Sequence, residues 1–243
     1  MANSYGPKGI VTDGLVFSLD AGNAQCLFPS SSTSVNSIVN TCTGTLVTDG
    51  SYSTDNGGCF TFDGSDGRLD MTTNAPTVSG DATLCWWMRL AASQDEYVGL
   101  IGSYTYYTVG KNNLIQIQWY TSKLRLISIS GTGDYDVDLY TPNAPAFSAN
   151  TWFFVTIVFD DSANTFQPYW NGTTQGWGTT SADSRTIVGI NEGITIGAYR
   201  QNGSAVASST IDGEMGPVYI YNKALTQAEI QQNYNSQKAR FGL

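Results

Sequence analysis

The sequence predicts a single all-β sandwich closed by one short helix near the C-terminus. A length of 243 residues suits one large β domain, because sandwiches and barrels often run to ~200–250 residues as one unit. Charged residues make up 13% of the chain, about half the usual ~25%. The polar remainder is rich in Ser, Thr, Asn, Gln and Gly, a composition that favours strands, turns and polar loops over long helices.

Strand patterns recur along the chain. Ala82–Leu90 alternates between a fully apolar face and a second face that carries Trp87, which indicates a strand with one face toward the core. Leu114–Tyr120 repeats the alternation. Residues 152–159 are apolar on both faces, which is typical of a strand in the middle of a covered sheet. Further strands are predicted at Leu15–Leu19, residues 59–62, Thr165–Trp170, residues 194–199 and residues 218–221.

Turn and cap chemistry predicts the connections. The Asn-Gly pair at residues 171–172 supplies the positive φ angles of a tight hairpin. Thr226 and Glu229 have the spacing of a capping box, in which the hydroxyl and the carboxylate each bond the other residue's backbone. Leu225 and Ile230 flank that box and are placed to form a hydrophobic staple.

Composition excludes several classes of function. The formal net charge is -9, so we expect no nucleic acid partner, because an acidic chain repels phosphate backbones. The chain has no histidine, which removes Ser-His-Asp and Cys-His catalysis and every imidazole metal ligand. The N-terminal residues 1–10 form no apolar signal core and no stretch approaches ~20 apolar residues, so we expect no signal peptide and no membrane span. We also expect the protein to be synthesised in a cytoplasm.

Four cysteines leave one question open. None belongs to a Cys-x-x-Cys pair, so a structural zinc site is not expected. A disulfide such as Cys26–Cys42 is one alternative, although sequence alone does not fix the pairing. Cys59 and Cys85 are interpreted as small buried apolar residues.

Four stretches carry a resemblance to a known superfamily. A strand ends in Phe-Asp-Gly within residues 60–67, and a tryptophan pair marks residues 82–88. Residues 152–172 form a long hairpin that ends in Tyr-Trp-Asn-Gly, and residues 211–230 run from Ile-Asp-Gly through Val-Tyr-Ile-Tyr into the capped helix. In these stretches the chain resembles the laminin-G-like, concanavalin-A-like jelly-roll superfamily in its bacterial and phage form.

The resemblance implies a division of the chain. We expect an N-terminal arm at residues 1–12, a laminin-G-like antiparallel β-sandwich at 13–236 with its closing helix near 226–236, and a C-terminal tail at 237–243. The fold alone implies little about the ligand, because lectins, glycosidases, adhesion modules and virion proteins share it.

Both ends of the chain resemble the structural proteins of tailed phages. Residues 11–17 and 19–23 look like the start of those proteins, and residues 231–235 and 240–243 look like their end. This resemblance implies a module displayed on the capsid, neck or tail of a virion. Its partners would then be other virion proteins, further copies of itself as a homo-oligomer, or surface glycans.

Aromatic side chains in polar loops are the first candidates for a ligand-binding site. Tyr104, Tyr106 and Tyr107 lie in a stretch of Ser, Thr and Gly, and Trp177 lies between two glycines. Such aromatics stack on sugars or anchor protein interfaces. Trp87 joins them as an aromatic residue on the non-core face of its strand. The alternative is that these rings cover sheet edges.

Calcium is a candidate ligand, because members of this fold often bind it through oxygen atoms. Asp134, Asp136 and Asp138 alternate along one stretch, so all three carboxylates would share a face of a strand. A second group of candidate ligands is Asp20, Asn23, Asp63 and Asp212. The alternative for each is that an aspartate in a turn bonds its own backbone or water. No cofactor is required.

Glycosidases of this superfamily set two or three carboxylates on alternate residues of one strand. The stretch from Asp134 to Asp138 has that spacing but lacks the expected glutamates, and Asp212 with Glu214 falls in the structural closing motif. We therefore expect no enzyme activity. The predicted function is a non-enzymatic virion structural protein; the alternatives are a glycan-binding, lectin-like module for host attachment and, third, a glycosidase.

Overall fold

The computed structural model describes residues 9–26, 33–92, 94–103, 114–121, 123–129, 135–141, 148–163, 165–176, 179–180, 190, 193–201 and 204–243. The strands in this part of the chain are β1 (Leu15–Leu19), β2 (Ser34–Asn36), β3 (Thr43–Val47), β4 (Ser51–Ser53), β5 (Cys59–Asp63), β6 (Arg68–Thr73), β7 (Ala82–Leu90), β8 (Val98–Ser103), β9 (Leu114–Tyr120), β10 (Lys123–Ile129), β11 (Tyr135–Tyr140), β12 (Trp152–Asp160), β13 (Thr165–Trp170), β14 (Thr173–Thr174), β15 (Thr179–Thr180), β16 (Ile194–Ile196), β17 (Ala198–Gln201), β18 (Ser204–Thr210) and β19 (Asp212–Tyr221). The helical elements are α1 (Gln227–Gln237) and two 3₁₀ helices, Asp55–Gly57 and Lys238–Phe241.

Two antiparallel sheets pack face to face. The eight-stranded sheet, called the helix-side sheet, has the order β14-β13-β12-β7-β19-β5-β4, and β1 also pairs with β19. The nine-stranded sheet, called the large sheet, has the order β15-β11-β10-β9-β8-β16-β6-β3-β2. β17 and β18 form a separate two-stranded hairpin. The predicted all-β sandwich with a short C-terminal helix is confirmed in the described residues.

The main core lies between the two sheets. Trp86, Leu84 and Met88 of β7 face it from one side, and Ile117 of β9 faces it from the other, all fully or almost fully buried. The predicted bounds of β1, β7, β9 and β13 agree with the structure because side-chain alternation reports the face of a strand directly. β12 lies between β13 and β7, as its two apolar faces predicted.

One predicted strand is divided in the structure. Residues 194–199 were expected to be continuous, but β16 ends and β17 begins on either side of Gly197, which has φ +88°. A Cβ atom at Gly197 would lie only 3.2 Å from the Phe62 ring, so the close packing and the left-handed backbone both require glycine. The chain turns there, and β17 leaves the large sheet.

Trp87 corrects the prediction for its face of β7. The side chain is fully buried and belongs to a second apolar cluster on the outer face of the helix-side sheet. Its ring stacks on Phe241 with centroids 4.2 Å apart, and Tyr234 of α1 stacks at 5.9 Å. The indole Nε1–H donates to Gln237 Oε1 at 2.8 Å. Trp87 is therefore the centre of a covered face, and it is not available to a ligand.

The two ends of the described chain close this second cluster together. Asn233 of α1, fully buried, accepts from the Val11 backbone N–H at 2.8 Å and donates to the Tyr221 hydroxyl at 3.0 Å. The same hydroxyl donates to the Val11 carbonyl at 3.0 Å. These bonds satisfy the polar groups of the buried segment, so both terminal segments have an intramolecular role.

Arg240 fastens the last turn to the body of the sandwich. Its guanidinium donates to both carboxylate oxygens of Asp20 at 2.9 Å and to the Gly58 carbonyl at 2.6 Å. The neighbouring Phe241 is buried against Trp87. The division of the chain at residues 12 and 236 stays a prediction. Val11 lies before the first of these boundaries and Phe241 lies after the second, and both pack on the sandwich.

The predicted capping box of α1 is confirmed. The Thr226 hydroxyl accepts from the Glu229 backbone N–H at 3.3 Å, and the Glu229 carboxylate accepts from the Thr226 backbone N–H at 2.8 Å. Leu225 and Ile230 are both buried in the second cluster, as the staple predicted. Within the described residues no helix has the length and apolarity needed to cross a bilayer.

Replacing Thr226 with alanine should lower the free energy of unfolding by about 1 kcal/mol, because a helix-end amide loses its acceptor. Thr226→Ser keeps the hydroxyl and should preserve most of the stability.

The pKa of Glu229 is lowered, first by the hydrogen bond from Lys223 and then by the Thr226 amide. Its contribution is therefore complete above the ordinary value of 4.5 and is lost as pH falls through the lowered folded-state pKa. Urea denaturation of wild type and Glu229→Gln at pH 7 and pH 3 tests this; an equal difference at both pH values would contradict it.

All four cysteines are buried free thiols in the structure. The Cys26–Cys42 disulfide considered from the sequence is therefore absent, while the interpretation of Cys59 and Cys85 as buried apolar residues is confirmed. Burial raises the pKa of Cys26 to about 12 and that of Cys42 to about 11. The thiolate, which is the reactive form, is thus suppressed at neutral pH.

Candidate functional site

A groove opens at one end of the sandwich, where the two sheets separate. It encloses a cavity of about 480 Å³, within the ~300–1,000 Å³ typical of ligand sites. Leu90 and Phe153 of the helix-side sheet and Trp119 of the large sheet contribute its apolar surface. The described residues that line it are Leu90, Ala91, Ala92, Gln94, Asp95, Glu96, Trp119, Thr121, Ser148, Ala149, Thr151 and Phe153.

The polar side of the groove is the loop between β7 and β8. Asp95 and Glu96 are exposed there, and neither carboxylate is held by an ion pair within the described part of the chain. Gln94 fixes this loop to β19: its Nε2 donates to the Asp212 carbonyl at 2.6 Å, and its Oε1 accepts from the Asp212 N–H at 3.1 Å. The loop therefore presents these two carboxylates from a base that is anchored on β19.

Three tyrosines continue the groove onto the outer face of the large sheet. Tyr97, Tyr120 and Tyr140 form this group, called the tyrosine platform. The rings of Tyr97 and Tyr120 lie 4.4 Å apart, and those of Tyr120 and Tyr140 lie 5.6 Å apart. Because side chains alternate along a strand, Trp119 faces the groove while Tyr120 faces outward. The groove and the platform thus meet at one corner, and together they are called the corner site.

Arg125 lies beneath the platform and holds it in place. The Cζ atom of Arg125 lies 5.8, 5.7 and 5.2 Å from the ring centres of Tyr97, Tyr120 and Tyr140. Its guanidinium donates from Nε and Nη2 to the two carboxylate oxygens of Asp138, at 2.8 and 2.7 Å. Such a fork is a strong, directional pair. Because Arg125 is only 8% exposed, its guanidinium packs against the three rings and is largely shielded from solvent.

The backbone at the corner is strained. Tyr97 has φ +64° and Thr121 has φ +44°, in the left-handed region that bulky and β-branched residues rarely adopt. Strain of this kind is commonly stored at functional sites. Here it directs the Tyr97 ring onto Tyr120 and keeps it 39% exposed.

Two of the platform hydroxyls, those of Tyr120 and Tyr140, have raised pKa values and stay protonated at physiological pH. Tyr120 forms a hydrogen bond with the Tyr97 hydroxyl, 3.3 Å away, and this contact, followed by burial, raises the pKa of Tyr120 to about 12. Burial raises the pKa of Tyr140. The platform therefore offers flat apolar ring faces bordered by phenol groups, which both donate and accept hydrogen bonds.

Most of the aromatic residues predicted to bind ligand lie outside the described residues. This is true of Tyr104, Tyr106, Tyr107 and Trp177, and it is also true of Asp134 in the predicted calcium group. Those assignments stay predictions.

The described part of the calcium group has another partner. Asp136 lies on β11, with its side chain outside the described part of the structure, and both carboxylate oxygens of Asp138 are bound by Arg125. Calcium at Asp138 would have to compete with that guanidinium for the carboxylate. Across the described ranges, no three acidic or thiol side chains gather closely enough to hold a metal ion.

The second group of predicted calcium ligands is distributed among local contacts. Asp20 is bound by Arg240, and its Oδ1 also accepts from the Gly22 N–H at 2.9 Å. Asn23 accepts from the Gln25 N–H at 2.9 Å, and Asp63 accepts from the Ser65 N–H at 3.0 Å. Asp20, Asn23 and Asp63 therefore each stabilise their own turn, the alternative considered from the sequence, whereas Asp212 is bound to Gln94 through its backbone.

The second pair of carboxylates considered for hydrolysis, Asp212 and Glu214, lies beside a small cavity of about 250 Å³. Asp212 and Glu214 line it from β19, together with Arg89 of β7. Glu214 is largely buried, and its Oε2 lies 2.5 Å from Arg89 Nε in an ion pair. Through that pair Glu214 of β19 is joined to Arg89 of the neighbouring strand β7.

Family comparison agrees with this architecture. A family model described as the concanavalin A-like lectin/glucanases superfamily matches residues 63–231, more than half of the chain. No curated protein sequence gave a match.

Solved structures share the fold at low sequence identity. The binding domain of botulinum neurotoxin serotype D matches with a TM-score of 0.68 and 15% identity, over 93% of this chain and 52% of that chain. The serotype D ligand-binding domain in complex with N-acetylneuraminic acid matches at 0.66 and 14%, over 93% and 51%. Trypanosoma rangeli sialidase in complex with the inhibitor DANA matches at 0.62 and 12%, over 95% and 34%. The chain thus spans about half or less of these proteins, and the likeness concerns the fold.

Proposed function

Since this chain belongs to the concanavalin A-like lectin/glucanase superfamily, we propose that it is a non-catalytic, lectin-like module that binds glycans at the corner site and is displayed on a phage virion. The observation that carries the proposal is the tyrosine platform beside an open groove. Sugars present flat C–H faces and rings of hydroxyl groups, and the platform and groove offer aromatic faces next to carboxylates and hydroxyls.

The neighbours in structure support the same class of function. The neurotoxin domains are named as binding domains, and one of them is in complex with a sugar, N-acetylneuraminic acid. Because this chain corresponds to about half of those domains, the position of their ligand is not transferred. The proposed site rests on the geometry of this chain.

Tyr97→Ala should weaken glycan binding by about tenfold or more, equivalent to ~1.4 kcal/mol, because the exposed stacking face is lost. Tyr52→Ala is a matched control, since Tyr52 is 42% exposed on β4 at an edge of the other sheet. A glycan array identifies ligands of the wild type, and calorimetry compares the variants. Equal losses in both variants, or no glycan bound by the wild type, would contradict the proposal.

The virion part of the proposal is supported by the resemblance of both chain ends to tailed-phage structural proteins. The low content of charged residues, 13%, and the surface rich in Ser, Thr and Asn suit a displayed module held by protein contacts. Mass spectrometry of purified virions tests it: we expect the chain among the particle proteins, in several copies. Its absence from washed particles would reject display on the virion while leaving the glycan test unaffected.

A further inference from the structure

The charges around the corner site are unevenly distributed. Among the described residues the site contains three carboxylates, of Asp95, Glu96 and Asp138, and two cations, Arg125 and Lys123. The carboxylates of Asp95 and Glu96 line the groove itself, where the described lining includes no cation. The balance at the groove is therefore negative, on a chain whose formal net charge is already -9.

The arginine of the site is not available to an anionic ligand. Both of its forked donors, Nε and Nη2, are already directed at Asp138, and the side chain is only 8% exposed beneath three rings. A sugar carboxylate would have to compete with Asp138 for both of these donors. Lys123 lies across the hairpin from Tyr120, at the edge of the platform, and is partly exposed.

We infer that the corner site takes neutral glycans and discriminates against sialylated and other anionic sugars. This inference rests on the proposed function and adds the class of ligand. The physical basis is that Asp95 and Glu96 accept hydrogen bonds from sugar hydroxyls, while the same two charges repel a carboxylate entering the groove. By contrast, one structural neighbour with the same fold is in complex with an acidic sugar, N-acetylneuraminic acid.

The test uses matched pairs of probes: a galactose-terminated oligosaccharide and the same oligosaccharide capped with N-acetylneuraminic acid. At ~10 mM salt, where screening is weak, we expect the neutral form to bind at least about fivefold more tightly. In the double variant Asp95→Asn with Glu96→Gln, and in wild type at ~1 M salt, the preference should fall to within about twofold. The amide side chains keep an acceptor oxygen but carry no charge, so the quantity compared is the ratio of the two affinities within each variant.

Two results separate the possible failures. Tighter binding of the sialylated probe, reduced by Lys123→Gln, would overturn this inference and leave glycan binding intact. Binding of neither probe, nor of any other neutral or acidic glycan on an array, would reject the proposed function and the inference with it.

Discussion

Trp87→Ala should lower the free energy of unfolding by about 3–5 kcal/mol, one of the two largest effects expected for a single substitution in this chain. The indole is fully buried between β7 and the C-terminal segment, and its removal leaves a cavity beside Phe241 and Tyr234. It also leaves Gln237 without the 2.8 Å bond from the indole N–H. Urea denaturation at pH 7 measures the change.

Trp87→Phe is the matched control, because it keeps a ring in the same place and removes chiefly the hydrogen bond. Its cost should be clearly smaller, near 1 kcal/mol for the bond plus a packing contribution from the lost ring volume. A loss below 1 kcal/mol for Trp87→Ala would show that α1 and Phe241 do not cover this face in solution.

Asp138→Asn should lower the free energy of unfolding by about 3 kcal/mol, because it removes the carboxylate charge that binds both Nε and Nη2 of the nearly buried Arg125. The tyrosine platform depends on the same arginine, so glycan binding should fall as well. Replacing both partners, Arg125→Met with Asp138→Leu, should retain much of the stability lost in the single variant, since no lone charge remains. A double variant less stable than Asp138→Asn would contradict this explanation.

The same variant separates the ion pair from the predicted calcium site. With Asp138 bound to Arg125, calcium and EDTA should leave the melting temperature of the wild type unchanged. Stabilisation by calcium that disappears in Asp138→Asn would instead support the ligand group of Asp134, Asp136 and Asp138 that the sequence predicted.

Local patterns account for the parts of the fold that the sequence predicted well. The alternation in Ala82–Leu90 and the Thr226–Glu229 capping box depend on residues within one turn or strand, so a single stretch of sequence is enough. The sequence pattern places Trp87 on the non-core face of β7 but does not predict that this face is covered. The cover comes from Tyr234 and Phe241, about 150 residues away. No local pattern reports such a contact.

The corner site shows the same limit. Tyr97, Tyr120 and Tyr140 meet because β8, β9, β10 and β11 are neighbours in a particular register, which the sequence does not specify. One signal was available: Gln116, Gln118 and Tyr120 share the polar face of β9, opposite its apolar face. An outward-facing row that ends in tyrosine indicates a surface, but its partners Arg125 and Asp138 become evident only from strand pairing.

The position of a bound glycan tests the central claim most directly. Two-dimensional NMR of labelled wild type, titrated with a neutral oligosaccharide selected on the array, maps the contact residue by residue. We predict the largest chemical-shift changes at residues 94–97 and 119–121, with Tyr52 and the α1 residues unaffected. Saturable shifts confined to another surface, or none at concentrations where the array shows binding, would contradict a glycan site at this corner of the sandwich.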